Sequence, residues 1–237
     1  MRKEKINIGA GVVDKFYELR IPDYFMMMQT IATNDAEEKG VGKSETIDKG
    51  FSWIISRIEV DIVKYPGYTE DVIMETYPGD DMKIIFPRYY RMVDLKGNLL
   101  INSSSLWALL DIKKRVPVMS PFKNALPSEH HEGELPLPKK VAIPENLSLI
   151  ESRKVRYSET DLNGHLNNTK YMDFIIDVHD SAFYEKHRIK HLAINYIHEI
   201  KDNDVVDLYT NNEPVEVIVG KVGNQLIFAC EITYEDR

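Results

Sequence analysis

Cysteine is nearly missing from this chain of 237 residues. Cys230 is the single one, which excludes an intrachain disulfide and any zinc site built from several thiolates. Basic charge is also in deficit, with 30 Lys+Arg against 38 Asp+Glu and a formal net charge of -8. A general nucleic-acid binder needs a basic footprint, so that class is set aside, and any acidic partner would require a local basic patch. No stretch approaches the roughly 18 apolar residues that span a bilayer, so membrane insertion is not expected. The N-terminal "MRKEKINIGAGVV" lacks the apolar core of a signal peptide. A reduced, cytoplasmic protein is the expectation. Two catalytic signatures are absent as well. No G-x-S-x-G elbow occurs. Gly42-Lys43-Ser44 ends like a phosphate-binding loop, but Glu37 stands where that loop needs its first glycine.

What remains is ordinary globular material, 43% hydrophobic and 29% charged, enough for a sizeable core. Proline is concentrated rather than scattered. Pro117, Pro121, Pro127, Pro136, Pro138 and Pro144 make six of the 11 prolines. Such a segment can neither continue a helix nor sit in a central strand, so 119–147 reads as an extended surface linker between halves at 1–118 and 148–237. The halves share a plan. Asp71-Val72-Ile73 is echoed by Asp204-Val205-Val206, and Gly97-Asn98-Leu99-Leu100-Ile101 by Gly223-Asn224-Gln225-Leu226-Ile227. Both Gly-Asn pairs lie between β-branched and aromatic runs, as hairpin turns would. Each half opens with helical periodicity. Phe25, Met28 and Ala32 follow Pro22, and Tyr171, Phe174, Ile175, Val178 and Ala182 follow Asn167-Asn168, of which Asn168 is the expected cap. Helix followed by antiparallel strands, twice over, predicts an α+β chain with a helix packed on a curved sheet in each half.

The chemistry concentrates in "YSETDLNGHLNNTKYMDF", where Asp161, Asn163 and His165 alternate. In an extended segment all three share one face, and Gly164 allows a turn before the helix. Orphan amides at the helix start could then meet a developing negative charge, an arrangement suited to acyl transfer or hydrolysis. Asp, Asn and Gly also cluster wherever turns and caps form, so the motif alone leaves both readings open. Glu199, in the strand-like "LAINYIHEIKD", reads by periodicity as a strand-end carboxylate.

These residues resemble a known family. "DLNGHLNNTKY" is similar to the D-x-N-x-H-x-N-N-x-x-Y signature of acyl-acyl carrier protein thioesterases. "SWIISR" and "SLWALLDIKKRVP" resemble that family's tryptophan-bearing strands, and "NYIHE" the position of its strand glutamate. The resemblance covers nearly the whole chain. It implies two tandem hotdog domains in the bacterial form, each a long helix packed on a curved antiparallel sheet, with the catalytic set in the second. Carried over, Asp161, Asn163, His165 and Glu199 form the active site that hydrolyses fatty acyl-acyl carrier protein, with no cofactor and no metal. Glu199 or Asp161 would activate water or attack directly; Glu199 as base with Asp161 orienting His165 is the preferred arrangement. Plant members often have a cysteine after the glutamate, where this chain has Ile200, so Cys230 reads as a core residue.

The first half, with "DKFYELRIPDYF" before its helix, lacks the motif and is assigned to the acyl pocket, with Met26, Met27 and Met28 as lining and Asn168 as a further substrate contact. Carrier docking is assigned to Lys113, Lys114 and Arg115, with Lys139-Lys140 as another basic candidate. His130-His131 among glutamates reads as solvated linker rather than a metal site. A coenzyme A thioesterase and a non-catalytic acyl-binding module on the same fold are the alternatives. Chain-length preference and pairing into a homodimer are left open.

Overall fold

A computed structural model describes residues 1–119, 126–161 and 163–237. It resolves into two compact units, Met1–Pro138 and Lys139–Arg237. In the first, β1 (Arg2–Asn7) precedes helix α1 (Ile21–Glu38), followed by β2 (Phe51–Ile62), β3 (Asp71–Pro78), β4 (Phe86–Asp94), β5 (Leu99–Asp111) and the short β6 (Val116–Val118). All pairings are antiparallel, in the order β1-β3-β4-β5-β2, with β6 on β5. Pro22 sits in the first turn of α1, where its missing N–H has no intrahelical partner to lose. Tyr24, Phe25, Met28, Ile31 and Ala32 recur at helical spacing and are buried. Polar contacts fix the helix on the sheet as well. Tyr24 Oη lies 2.6 Å from Ser103 Oγ. Asp35 accepts hydrogen bonds from Arg88 Nη1 and Lys39 Nζ, each at 2.7 Å.

The second unit holds β7 (Ser148–Lys154), α2 (Lys170–Ile176), α3 (Ser181–Tyr184), β8 (His187–Tyr196), β9 (Val205–Thr210), β10 (Val215–Val222) and β11 (Gln225–Asp236). Its sheet is antiparallel in the order β7-β9-β10-β11-β8. Strand for strand, this is the topology of the first unit. Helix α2 buries Tyr171, Met172, Phe174 and Ile175, and Tyr171 stands edge-on against Tyr196 of β8 and Phe228 of β11. Burying each such side chain is worth about 1.5–3 kcal/mol.

One expectation fails locally. The helix of the second unit does not run on through Val178 to Ala182. It stops at Ile176, and α3 begins after Asp180, whose carboxylate accepts the Phe183 N–H at 2.9 Å. A side chain that caps a new helix competes with continuation of the old one, so the long helix is realised only in the first unit. Between the breaks, His179 Nε2 meets buried Glu216 at 2.8 Å, and Glu216 also receives Tyr234 Oη at 2.8 Å and Thr210 Oγ1 at 2.7 Å.

The duplication extends to individual hydrogen bonds. The two Gly-Asn pairs both sit in hairpin turns, β4 to β5 and β10 to β11, with Gly97 at φ 88° and Gly223 at φ 59°. The Leu100 carbonyl accepts the amides of Val63 and Lys64; the Ile227 carbonyl accepts those of Ile197 and His198. Leu19 N–H bonds to the Pro66 carbonyl as Leu166 N–H bonds to that of Ile200. Chance likeness of short β segments would not reproduce these pairs.

The proline-rich segment is extended but not a free spacer. Its first part is stitched to the first unit, Asn102 Nδ2 donating to the Gly133 carbonyl and Ser104 Oγ to that of Pro136, with Leu135 buried. Its last part belongs to the second, where Asn195 accepts the Val141 N–H and donates to the Lys139 carbonyl. Pro121 lies outside the described residues.

Candidate active site

The loop before α2 carries three of the four polar residues, and its form differs from the extended segment the alternation predicted. Asp161 N–H bonds to the His165 carbonyl at 2.7 Å, and Gly164 N–H to the Asp161 carbonyl at 3.0 Å, closing a tight turn. Gly164 supplies the φ of 76° that the turn requires. The Asp161 carboxylate folds back onto its own backbone: Oδ1 accepts the amides of Asn163 at 2.8 Å and His165 at 3.2 Å. Asp161 therefore holds the backbone of His165. Asn163 is exposed, and His165 is half-buried.

The first unit contains the same turn. Asp14 Oδ1 accepts the amides of Phe16 at 2.8 Å and Glu18 at 3.1 Å, while Asp14 N–H bonds to the Glu18 carbonyl. Tyr17 takes the place of Gly164 at φ 63°. Asp14 thus corresponds to Asp161, Phe16 to Asn163 and Glu18 to His165. The turn is scaffold common to both units, and only the second decorates it with an amide and an imidazole.

Glu199 lies beyond the end of β8, in a segment without strand structure, rather than in the strand expected for it. That segment is tied from two sides. Ile197 and His198 donate to the Ile227 carbonyl on β11, and Leu166 N–H bonds to the Ile200 carbonyl. Residues His165 and Lys201 pair as an antiparallel bridge. The outcome is that His165 Nε2 and Glu199 Oε2 lie 3.5 Å apart. Two residues 34 positions apart are brought to ion-pair distance at a half-open site, with 21% and 38% of their side chains exposed. In the first unit Tyr65 occupies the place of Glu199, one residue before Pro66.

The amides expected to await an oxyanion are largely engaged. His165 N–H bonds to Asp161, Leu166 N–H to Ile200 and Asn167 N–H to the Glu159 carbonyl. Helix α2 starts only at Lys170, and Asn167 rather than Asn168 ties its approach, Oδ1 accepting the Thr169 amide at 3.0 Å. Asn168 is half-buried and its carbonyl accepts Tyr196 Oη. Cys230 is fully buried on β11, and burial pushes its thiol well above the usual range, so it is not a nucleophile at neutral pH. Of the three α1 methionines, Met28 is buried, Met27 half-buried and Met26 exposed. Lys113, Lys114 and Arg115 form the exposed turn between β5 and β6. His130 contacts Asp80 and Glu134, and among the described residues no three His, Cys, Asp or Glu side chains are grouped to hold a metal ion. No helix of the described residues is long and apolar enough to cross a membrane.

Family models match the two halves of the chain separately. Residues 1–121 match the model of the acyl-ACP thioesterase N-terminal domain, and residues 144–236 that of the C-terminal domain. The chain belongs to the acyl-ACP thioesterase family. Among curated members, it is 23% identical over 241 residues to oleoyl-acyl carrier protein thioesterase 2 of Arabidopsis thaliana, covering 93% of this chain and 65% of that protein. It is 21% identical to a dodecanoyl-[acyl-carrier-protein] hydrolase of Cinnamomum camphora, over 77% of this chain and 52% of the relative. The chain thus spans less than two thirds of the length of these plant thioesterases. Among solved acyl-ACP thioesterases, the fold is shared with one from Bacteroides thetaiotaomicron at TM-score 0.89 and 18% identity, over 99% of this chain and 97% of that one. The 12:0-ACP thioesterase of Umbellularia californica gives TM-score 0.84 at 18% identity, over 100% and 97% of the two chains. The fold is therefore the paired hotdog of this thioesterase family.

Tyr171 closes the signature-like segment and also fits the apolar face of α2. Tyr171 is buried, and its hydroxyl reaches the His198 carbonyl at 3.5 Å, beside Glu199. The signal was present, because Asp14 and Tyr24 repeat the spacing of Asp161 and Tyr171.

Proposed function

We propose that this chain hydrolyses the thioester of fatty acyl groups borne on acyl carrier protein and releases the free fatty acid. The observation that carries this reading is the His165–Glu199 pair at 3.5 Å, in the unit that matches the family's C-terminal domain. A carboxylate and an imidazole at that distance can divide proton transfers between them. In the proposed reaction Glu199 takes a proton from water as its oxygen attacks the thioester carbon. The exposed Asn163 side-chain amide donates to the oxyanion that forms. The intermediate then collapses, the C–S bond breaks, and the proton taken by Glu199 passes through His165 to the departing thiolate. Asp161 keeps His165 in place through its backbone.

The remaining assignments belong to the same proposal. The stretch 148–237 does the chemistry, with Asn168 beside it. The stretch 1–118, which lacks the polar set, takes the acyl chain, and Met26, Met27 and Met28 supply adaptable thioethers for it. Lys113, Lys114 and Arg115 meet the acidic carrier. The test is hydrolysis of acyl-carrier and acyl-CoA panels of matched chain length, with the fatty acids identified, for the wild type and Glu199→Ala. Carrier-linked substrates should give the higher kcat/KM, and Glu199→Ala should lower turnover by about 10²–10⁴-fold. Folded protein that releases fatty acid from neither handle refutes the reading; turnover of CoA esters alone moves the substrate to that handle.

A further inference from the structure

The Tyr171 side chain is 2% exposed, and its ring is fixed edge-on against Tyr196 and Phe228. Its hydroxyl donates to the His198 carbonyl at 3.5 Å, on the peptide group that leads into Glu199. The hydroxyl thus holds the peptide group immediately before Glu199. We infer that Tyr171 is a positioning residue: its hydroxyl clamps the 198–199 peptide so that the Glu199 carboxylate stays against His165. This rests on the hydrolase reading for its consequence in turnover, but not for the clamp itself.

The first unit provides an internal control. Tyr24 is its counterpart, ten residues after Asp14 as Tyr171 is ten after Asp161. Tyr24 Oη is hydrogen-bonded to Ser103 Oγ, 2.6 Å away on β5. Ser103 lies three residues past Leu100, whose carbonyl has the same two-amide role as that of Ile227, so its counterpart on β11 is Cys230. A thiol is a weak acceptor, and the Cys230 sulfur lies 3.8 Å from the Glu231 carbonyl. Replacing serine by cysteine therefore frees the tyrosine hydroxyl for the backbone beside Glu199. This gives the lone cysteine a role: it withholds a competing partner. Burial, reinforced by the charges of Glu199 and Asp161, pushes the Tyr171 hydroxyl well above its ordinary range, so it remains a donor at neutral pH.

Variants at Tyr171, Cys230 and Tyr24 test the inference. Tyr171→Phe keeps both ring contacts and removes only the hydroxyl; kcat should fall roughly tenfold with KM within about twofold, as expected when a reacting group loses its placement. Added to Glu199→Ala, it should cause no further loss, because both act through one group. Cys230→Ser, which offers Tyr171 the partner Tyr24 has, should lower kcat in the same direction with the tyrosine intact, whereas Tyr24→Phe should not. Amide hydrogen exchange reads the clamp without substrate: in Tyr171→Phe the Leu166, His198 and Ile200 amides should exchange about tenfold faster while those of β11 stay protected. Unchanged exchange with unchanged kcat overturns the inference. So does a Tyr171→Phe loss that multiplies with that of Glu199→Ala. If the wild type hydrolyses no thioester, the hydrolase reading fails, and exchange alone decides the clamp.

Discussion

Replacing Asp161 separates scaffold from chemistry, because the structure makes a definite statement about its carboxylate. Oδ1 is occupied by the amides of Asn163 and His165, as Asp14 Oδ1 is by those of Phe16 and Glu18. A hydrogen bond to a charged acceptor contributes about 1.5–3 kcal/mol when buried, and less in a half-exposed turn where water can replace it. Asp161→Ala should therefore cost about 1–2 kcal/mol in all, of which the part-buried His165 amide supplies most. Its effect on turnover should be larger. A turn that no longer fixes the His165 backbone lets the imidazole drift from Glu199, and misplacement by about 1 Å can cost on the order of a hundredfold. Asp161→Asn retains an acceptor oxygen in the same place, so its stability should lie within about 1 kcal/mol of wild type and its kcat within about tenfold. Asp14→Ala, the same deletion on the turn that bears no imidazole, should cost similar stability and leave kcat unchanged. Urea unfolding midpoints and steady-state hydrolysis of a carrier-linked thioester measure both quantities. If Asp161→Asn folds normally but is as inactive as Asp161→Ala, the charge of Asp161 enters the chemistry and the scaffold argument is wrong.

Other expectations follow from the same contacts. Asn163→Ala should lower kcat on the order of a hundredfold, since one preorganised donor is worth roughly 3 kcal/mol of barrier, with little change in the unfolding midpoint. Asp35→Ala leaves Arg88 buried without its carboxylate and should destabilise the protein by about 3–5 kcal/mol, read from urea unfolding. Burial opposes ionisation of Glu216, but His179, Thr210 and Tyr234 together overcome it and hold its carboxyl below the usual range. Asp35 is held low in the same way, by Arg88 and Lys39 against burial. A depressed carboxyl stabilises the fold above its unfolded value of about 4 and loses that contribution as pH falls through the lower folded value. The unfolding midpoint should therefore drop on acidification below about pH 4, and the drop should be shallower in Glu216→Gln. Charge reversal of Lys113 and Lys114 should raise KM for carrier-linked substrate while sparing a short thioester; an unchanged KM removes the docking assignment.

Local chemistry was legible in the sequence wherever a residue acts on its own neighbours. Pro22 and the Phe25, Met28, Ala32 spacing specify α1. The Gly-Asn pairs specify both hairpins, because a left-handed turn position selects its residue regardless of the rest of the fold. The D-x-N-G-H order marked the loop that carries the site, but its form did not follow from side-chain alternation, since the Asp161 carboxylate competes for amides that an extended segment would leave open. What only tertiary structure decided lies between elements. Glu199 reaches His165 because the 197–200 backbone is held by Ile227 of β11 on one side and Leu166 on the other, and no periodicity encodes bonds between distant segments. The role of Tyr171 depends on what faces its hydroxyl. Two tyrosines at the same place in two like units bond differently because one strand offers a serine and the other a cysteine.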